Sequence, residues 1–132
     1  MGYTHYWRLK KDCKKLSIRC VNDIKTILEK HKDIIQYESD VKKKAVIKDT
    51  LIRFNGIKEE GHETFYFQVP PKAESYQKFD EKGFLFNFCK TARKPYDIVV
   101  CKVLLILKAE LGKKMILSSD GFSNYTCSFD GV

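Results

Sequence analysis

The sequence predicts a single α+β domain spanning residues 1–132, and three observations carry that expectation. β-Type runs and helix-type periodicities follow one another in the order strand, helix, several strands, helix, strand. A chain of 132 residues and 15.4 kDa is long enough for one hydrophobic core without disulfide or metal staples. Its 43% apolar content, with nine Phe, seven Tyr and one Trp, is that of a folded globular protein rather than a disordered one.

Tyr3, His5, Trp7 and Leu9 alternate with Thr4, Tyr6 and Arg8, the period of a half-buried strand. Leu16, Cys20, Val21, Ile24, Ile27 and Leu28 then recur at three- and four-residue spacing. Lys14, Lys15, Arg19, Asn22, Lys25 and Lys30 fall on the other side, so an amphipathic helix is predicted from Cys13 to His31. Short β-type runs follow at 34–37, 45–47, 51–54 and 64–69, read as antiparallel strands. After the third, Asn55-Gly56 is read as opening a long solvent-facing loop, because Lys58-Glu59-Glu60-Gly61 would make a poor paired strand. Pro70-Pro71 ends the aromatic strand, residues 72–82 form an irregular excursion, and Phe84 to Phe88 resumes the sheet. Pro95 suits a first helical turn, Asp97 complements the helix dipole, and Gly112 is a C-terminal stop. Positions 98–101 and 103–107 are all apolar, which places this second helix at the centre of the core. Met115 to Leu117 forms a strand, and Tyr125 to Phe129 is read as an edge strand. This order is that of a two-layer sandwich, mainly antiparallel sheet with two helices on one face, ferredoxin-like or related.

An excess of 25 Lys+Arg over 17 Asp+Glu gives +8 at neutral pH, which favours phosphate-bearing partners or acidic protein surfaces. Five cysteines without a C-x-x-C pair, and an opening stretch lacking an apolar signal region, point to a reducing, cytoplasmic setting. Cys20 and Cys101 sit among apolar helix positions and are read as small hydrophobes. Asn124-Tyr125-Thr126 matches a glycosylation acceptor, which has no meaning without secretion. The longest apolar segment, 96–107, contains Lys102 and is shorter than the about 20 residues that span a bilayer, so no membrane is expected.

The richest candidate site is the junction Cys89-Lys90-Thr91-Ala92-Arg93-Lys94-Pro95-Tyr96-Asp97, where a strand passes through three cations into a helix. Lys90, Arg93 and Lys94 would supply positive charge. Thr91 and the N–H groups at Tyr96 and Asp97 would give directional bonds to a phosphate, and the Tyr96 ring a stacking face. Asp97 competes for the same N–H groups. Asn55, His62 and Asp120, on neighbouring loops, complete the candidate ligand set. His62-Glu63-Thr64 has the H-x-T form of two-histidine phosphoesterases, but neither His5-Tyr6-Trp7 nor His31-Lys32-Asp33 supplies a second copy. Three histidines without a diagnostic carboxylate pair do not compose a metal site, and no phosphate-cradling glycine motif indicates a cofactor. Cationic neighbours would lower the thiol pKa of Cys89, yet no base is legible beside it. The aromatic runs Tyr3–Trp7 and Phe65–Phe67 do not match the consensus of RNA-stacking sheets.

With Gly2-Tyr3-Thr4-His5-Tyr6-Trp7, Phe54-Asn55-Gly56, Glu63-Thr64-Phe65, the block from Phe88 to Asp97 and Ser119-Asp120-Gly121, the chain resembles a family of small proteins found in phages, prophages and other microbial genomes. The resemblance spans nearly the whole chain and brings no established activity. It implies a mobile-element setting, in which small proteins counteract host defences by binding an effector or sequestering a nucleotide messenger. The expected function is therefore non-catalytic binding of a phosphate-bearing ligand, a nucleotide or a nucleic acid. The alternatives are a protein-binding inhibitor of a host defence protein, using the lysine-rich first helix and Lys42-Lys43-Lys44, and a phosphoesterase using His62. Open strand edges allow a homodimer.

Overall fold

The computed structural model describes residues 3–36 and 45–120. Among these residues, seven strands in two antiparallel sheets and two α-helices give an α+β fold. In the first sheet β1 (Thr4–Lys10) lies between β6 (Phe84–Lys90) and β7 (Met115–Ser119) and is antiparallel to both. β6 and β7 are therefore parallel to each other and joined through α2 (Asp97–Leu111), a split β-α-β unit with β1 inserted. The second sheet is built on β4 (Leu51–Gly56). It pairs with β5 (Phe65–Gln68) and, towards opposite ends, with β2 (Ile35–Gln36) and β3 (Val46–Ile47). The sheets are tied where the Glu63 N–H donates to the Lys90 carbonyl at 3.1 Å.

All the buried apolar residues described except Tyr3 and Leu85 form one cluster. Trp7 packs on Phe65 at 5.4 Å between ring centroids, and Phe65 on Phe54 at 5.1 Å. α1 (Ile18–Lys30) contributes Cys20, Ile24 and Leu28, and α2 contributes Val99, Val100, Val103, Leu104 and Leu107. Each such side chain stabilises the fold by about 1.5–3 kcal/mol relative to exposure. α2 packs on β7 of the first sheet, α1 on α2 and on β3 of the second, and Phe65 and Phe67 of β5 on Trp7, so the core lies on the face of the first sheet that carries Trp7, Leu9 and Cys89. No helix among the described residues is long and apolar enough to cross a membrane.

Three local expectations are corrected. α1 starts at Ile18 rather than Cys13, because Ser17 caps it by accepting the Cys20 N–H at 3.1 Å, while Cys13 and Leu16 reach the core from irregular chain. α2 starts at Asp97, two residues beyond Pro95. β4 runs through Asn55 and Gly56, which pair with Gln36 and Ile35, and the chain turns only at Lys58–Glu60. The structure requires glycine at 56, where a Cβ would lie 2.3 Å from the Glu60 carbonyl oxygen. The expected strand at 125–129 and the Lys42–Lys44 stretch lie outside the described residues.

Candidate functional site

The start of β1, the end of β6, the end of β7 and the first turn of α2 meet at one end of the first sheet. The link between β6 and α2 folds back on β1: the N–H groups of Thr91 and Ala92 both donate to the Tyr3 carbonyl, at 2.9 and 3.2 Å. Ala92 and Arg93 then adopt φ of 53° and 58°, consecutive left-handed residues, neither of them glycine. Such a conformation costs about 1–2 kcal/mol per residue and persists only where surrounding contacts impose it.

Those contacts are polar and buried. His5 Nε2 lies 2.6 Å from Asp97 Oδ1, and Thr91 Oγ1 donates to the same oxygen at 2.5 Å. His5 and Thr91 are fully buried, whereas the Asp97 side chain keeps 22% exposure. Burial alone would push the Asp97 carboxyl up, but the bonds from His5 and Thr91 outweigh it and hold the group below its ordinary value. An ionised carboxylate only accepts, so Nε2 of His5 carries the proton in this pair. Cys101, one helical turn after Asp97, donates to Oδ2 at 3.6 Å and lies 3.7 Å from His5 Nε2.

The side chains of Lys90 and Arg93 are exposed and that of Lys94 is half-buried, so the link presents its cations outward. The Arg93 guanidinium sits 4.4 Å from the centroid of the Tyr3 ring, within cation–π range, which orders it at the surface. Asp120, at the end of β7, accepts from the Thr4 N–H at 3.2 Å and from Tyr6 Oη at 2.8 Å.

Other candidate residues have structural roles. Tyr96 is fully buried, and its hydroxyl donates to the Glu63 carbonyl at 2.6 Å, so it offers no stacking face. Thr91 is committed to Asp97, and the Asp97 N–H donates to the Lys94 carbonyl at 2.8 Å, so neither is open to a phosphate. Asp97 turns away from the helix N-terminus towards His5 instead of capping it. Asn55 is buried and staples the 56–64 loop, accepting the N–H groups of Gly56 and His62 and donating to the His62 carbonyl and Thr64. His62 is exposed on that loop. His5 is locked on Asp97 and His31 lies beside Lys102 at the end of α1, so neither provides the second histidine of a phosphoesterase pair. Cys89 points into the core and donates to the Glu63 carbonyl, and burial pushes its thiol up, the reverse of activation by the nearby cations.

The His5–Asp97–Cys101 group was not legible in the sequence; its donor atoms lie within 4.8 Å of one another. At 2.6 Å, His5 Nε2 and Asp97 Oδ1 form a hydrogen-bonded pair, closer than two ligands on a tetrahedral zinc with bonds of about 2.0–2.2 Å would stand. Cys101 is not an activated nucleophile either. Burial pushes its thiol up, and the histidine nitrogen it faces is already held by Asp97, whereas a triad would orient the ring through the other nitrogen. The arrangement is a structural lock that fixes the basic turn.

No family model, no curated protein and no solved structure matches the chain, so the site is read from its own geometry.

Proposed function

We propose that this is a small basic binding protein, not an enzyme, that takes a phosphate-bearing ligand at the turn carrying Lys90, Arg93 and Lys94. The observation that carries the reading is the strained pair Ala92–Arg93, held over a buried His5–Asp97–Thr91 network. A turn needed only to join strand to helix would place glycine at these angles. Here an arginine occupies one of them, and the network fixes the backbone that displays it. A rigid display lowers the ordering cost of binding, and guanidinium and ammonium groups suit phosphate oxygens. The turn's N–H groups at Thr91, Ala92, Lys94 and Asp97 are internally bonded, so side-chain charge does the recognition. In the phage or prophage setting that the sequence resemblance implies, sequestering a nucleotide messenger or nucleic acid would serve counter-defence.

The test is mass spectrometry of nucleotides and nucleic acid released by denaturing the protein after gentle purification, compared with Arg93→Glu/Lys94→Glu. The expected result is a stoichiometric ligand in the wild type that the double variant lacks. Equal ligand in both proteins, with the variant folded, removes the turn from the binding site.

A protein-directed inhibitor is the second reading, favoured by Ile18, which is 81% exposed at the first turn of α1 beside Arg19. Nuclease-insensitive co-purification with one protein, lost in Ile18→Asp, would support it.

A further inference from the structure

The outward face of the first sheet carries a row of aromatic residues that stays exposed or half-buried among the described residues. From β6 come Phe84, Phe86 and Phe88, and from β1 Tyr6, Arg8 and Lys10, in direct cross-strand register as Phe84–Lys10, Phe86–Arg8 and Phe88–Tyr6. Phe86 and Phe88 each retain 44% exposure, and Ile116 on β7 retains 49%. The rings are ordered rather than scattered: Tyr6 stacks on Phe86 at 6.0 Å and 26°, and Phe86 follows Phe88 at 6.0 Å. α2 and the aromatic residues of β5 pack on the opposite face.

Cations frame this row. Arg8 lies over the Phe86 ring at 5.7 Å and Lys10 over the Phe84 ring at 5.9 Å. At one end Lys10 and Phe84 line an open depression with Lys82, Lys113 and Lys114, and at the other β6 ends in the exposed Lys90. Acids lie beside these cations as well. Asp80 is 4.0 Å from Arg8, Asp12 lines the lysine depression 3.7 Å from Lys114, Glu63 accepts the Lys90 N–H at 2.7 Å, Glu74 shares a depression with Phe88, and Asp120 is engaged by Thr4 and Tyr6. Aromatic faces between a lysine-lined depression at one end and Lys90 at the other, with Arg8 between, complement a flexible polyanion whose bases can splay out.

The strand itself reads Lys82-Gly83-Phe84-Leu85-Phe86-Asn87-Phe88-Cys89, with the basic-Gly-aromatic-x-aromatic opening of strands that stack bases on RNA-binding sheets; it departs from that pattern at Leu85 (usually small), Asn87 (usually Val) and Cys89 (usually aromatic). Gly83, at φ 85°, is the turn that admits the strand. The aromatic of the neighbouring strand is also present, as Tyr6 opposite Phe88. We infer that the outer face of the β6–β1–β7 sheet, through Tyr6, Phe86 and Phe88, stacks two or three bases of a single-stranded nucleic acid, with Arg8, Lys10 and Lys90 on its phosphates. The inference rests on the proposed phosphate-directed role for the choice of ligand class; it shares Lys90 with the turn but neither Arg93 nor Lys94, so variants at Phe86 and Phe88 and at Arg93 and Lys94 separate the two.

The experiment is fluorescence anisotropy of the full chain with a labelled single-stranded uridine-rich RNA, the DNA of the same sequence, and the duplex, at two salt concentrations. Phe86→Ala/Phe88→Ala, at exposed positions, is expected to bind single strands at least about tenfold more weakly with an unchanged circular dichroism spectrum. Phe86→Tyr/Phe88→Tyr, which keeps the faces, is expected to stay within about threefold of wild type. RNA-only, DNA-only or equal binding, lost in the Ala pair, identifies the strand type and supports the inference. Wild-type single-strand binding that the Ala pair retains, a duplex bound as tightly as the single strand, or no binding to any probe overturns it. Binding lost in the Ala pair but kept in Arg93→Glu/Lys94→Glu upholds the face and rejects the turn, and the reverse pattern does the opposite.

Discussion

Replacing Asp97 by alanine tests whether the polar lock holds the turn. Its Oδ1 partners both groups that burial removes from water, His5 at 2.6 Å and Thr91 at 2.5 Å. Alanine removes the acceptor shared by two buried donors, at about 1–3 kcal/mol each, partly offset because Thr91 Oγ1 also faces the Tyr3 carbonyl at 3.5 Å and the carboxylate no longer has to be desolvated. A loss of about 3–4 kcal/mol is expected, a shift of about 2 M in the urea midpoint at a slope typical of small proteins. Asparagine keeps the shape and one acceptor oxygen, so Asp97→Asn should cost about 1–2 kcal/mol. The sign with pH follows from the lowered folded value of this carboxyl. Its contribution is complete above about pH 4, the ordinary carboxyl value, and is lost as pH falls through the lower folded one. Urea unfolding of the three proteins at pH 7 and at pH 3, followed by tryptophan fluorescence, measures both effects. If Asp97→Ala unfolds within about 0.5 kcal/mol of wild type at pH 7, the network does not hold the turn.

Ala92→Gly should be neutral or stabilise by up to about 1 kcal/mol in the same assay, because relief of the left-handed conformation offsets the added freedom of the unfolded chain; a loss of 1 kcal/mol or more would refute the strain. Gly56→Ala should destabilise by about 1–3 kcal/mol, since its Cβ meets the Glu60 backbone rather than a movable side chain, and thermal melting within a degree of wild type would contradict that contact. Native iodoacetamide labelling mapped by mass spectrometry should be slow at Cys20, whose thiol burial pushes up to about 11, and at Cys89 and Cys101, which burial pushes up further. Denaturant should speed Cys20 at least about hundredfold, and equal native and denatured rates would show open thiols.

The period-two pattern of β1 was legible because burying Tyr3, His5, Trp7 and Leu9 is what one covered sheet face demands. The faces of both helices and the stop at Gly112, with φ 57°, were legible for similar local reasons. The start of α1 was not, because Cys13 and Leu16 mimic helical spacing while reaching the core from irregular chain, and Ser17 decides the boundary by capping. Asn55-Gly56 carries turn chemistry, but a buried Asn that stitches the following loop overrides it. At the site, the run of cations was visible and its support was not. His5 and Asp97 stand 92 residues apart in sequence, and only the pairing of β1 with β6 brings them together. Tyr96 shows the converse: beside three cations it reads as a ligand residue, yet the geometry that opens α2 turns its ring into the core.

The central claim, that the locked basic turn is a phosphate-binding surface, is tested most directly by two-dimensional NMR of ¹⁵N-labelled protein titrated with ATP and, separately, inorganic pyrophosphate. Saturable shifts of the Lys90 to Lys94 amides, absent in Arg93→Glu/Lys94→Glu, are the predicted result. Amides of the turn that stay fixed up to millimolar concentrations of both probes, in a protein whose spectrum is otherwise folded, would contradict it.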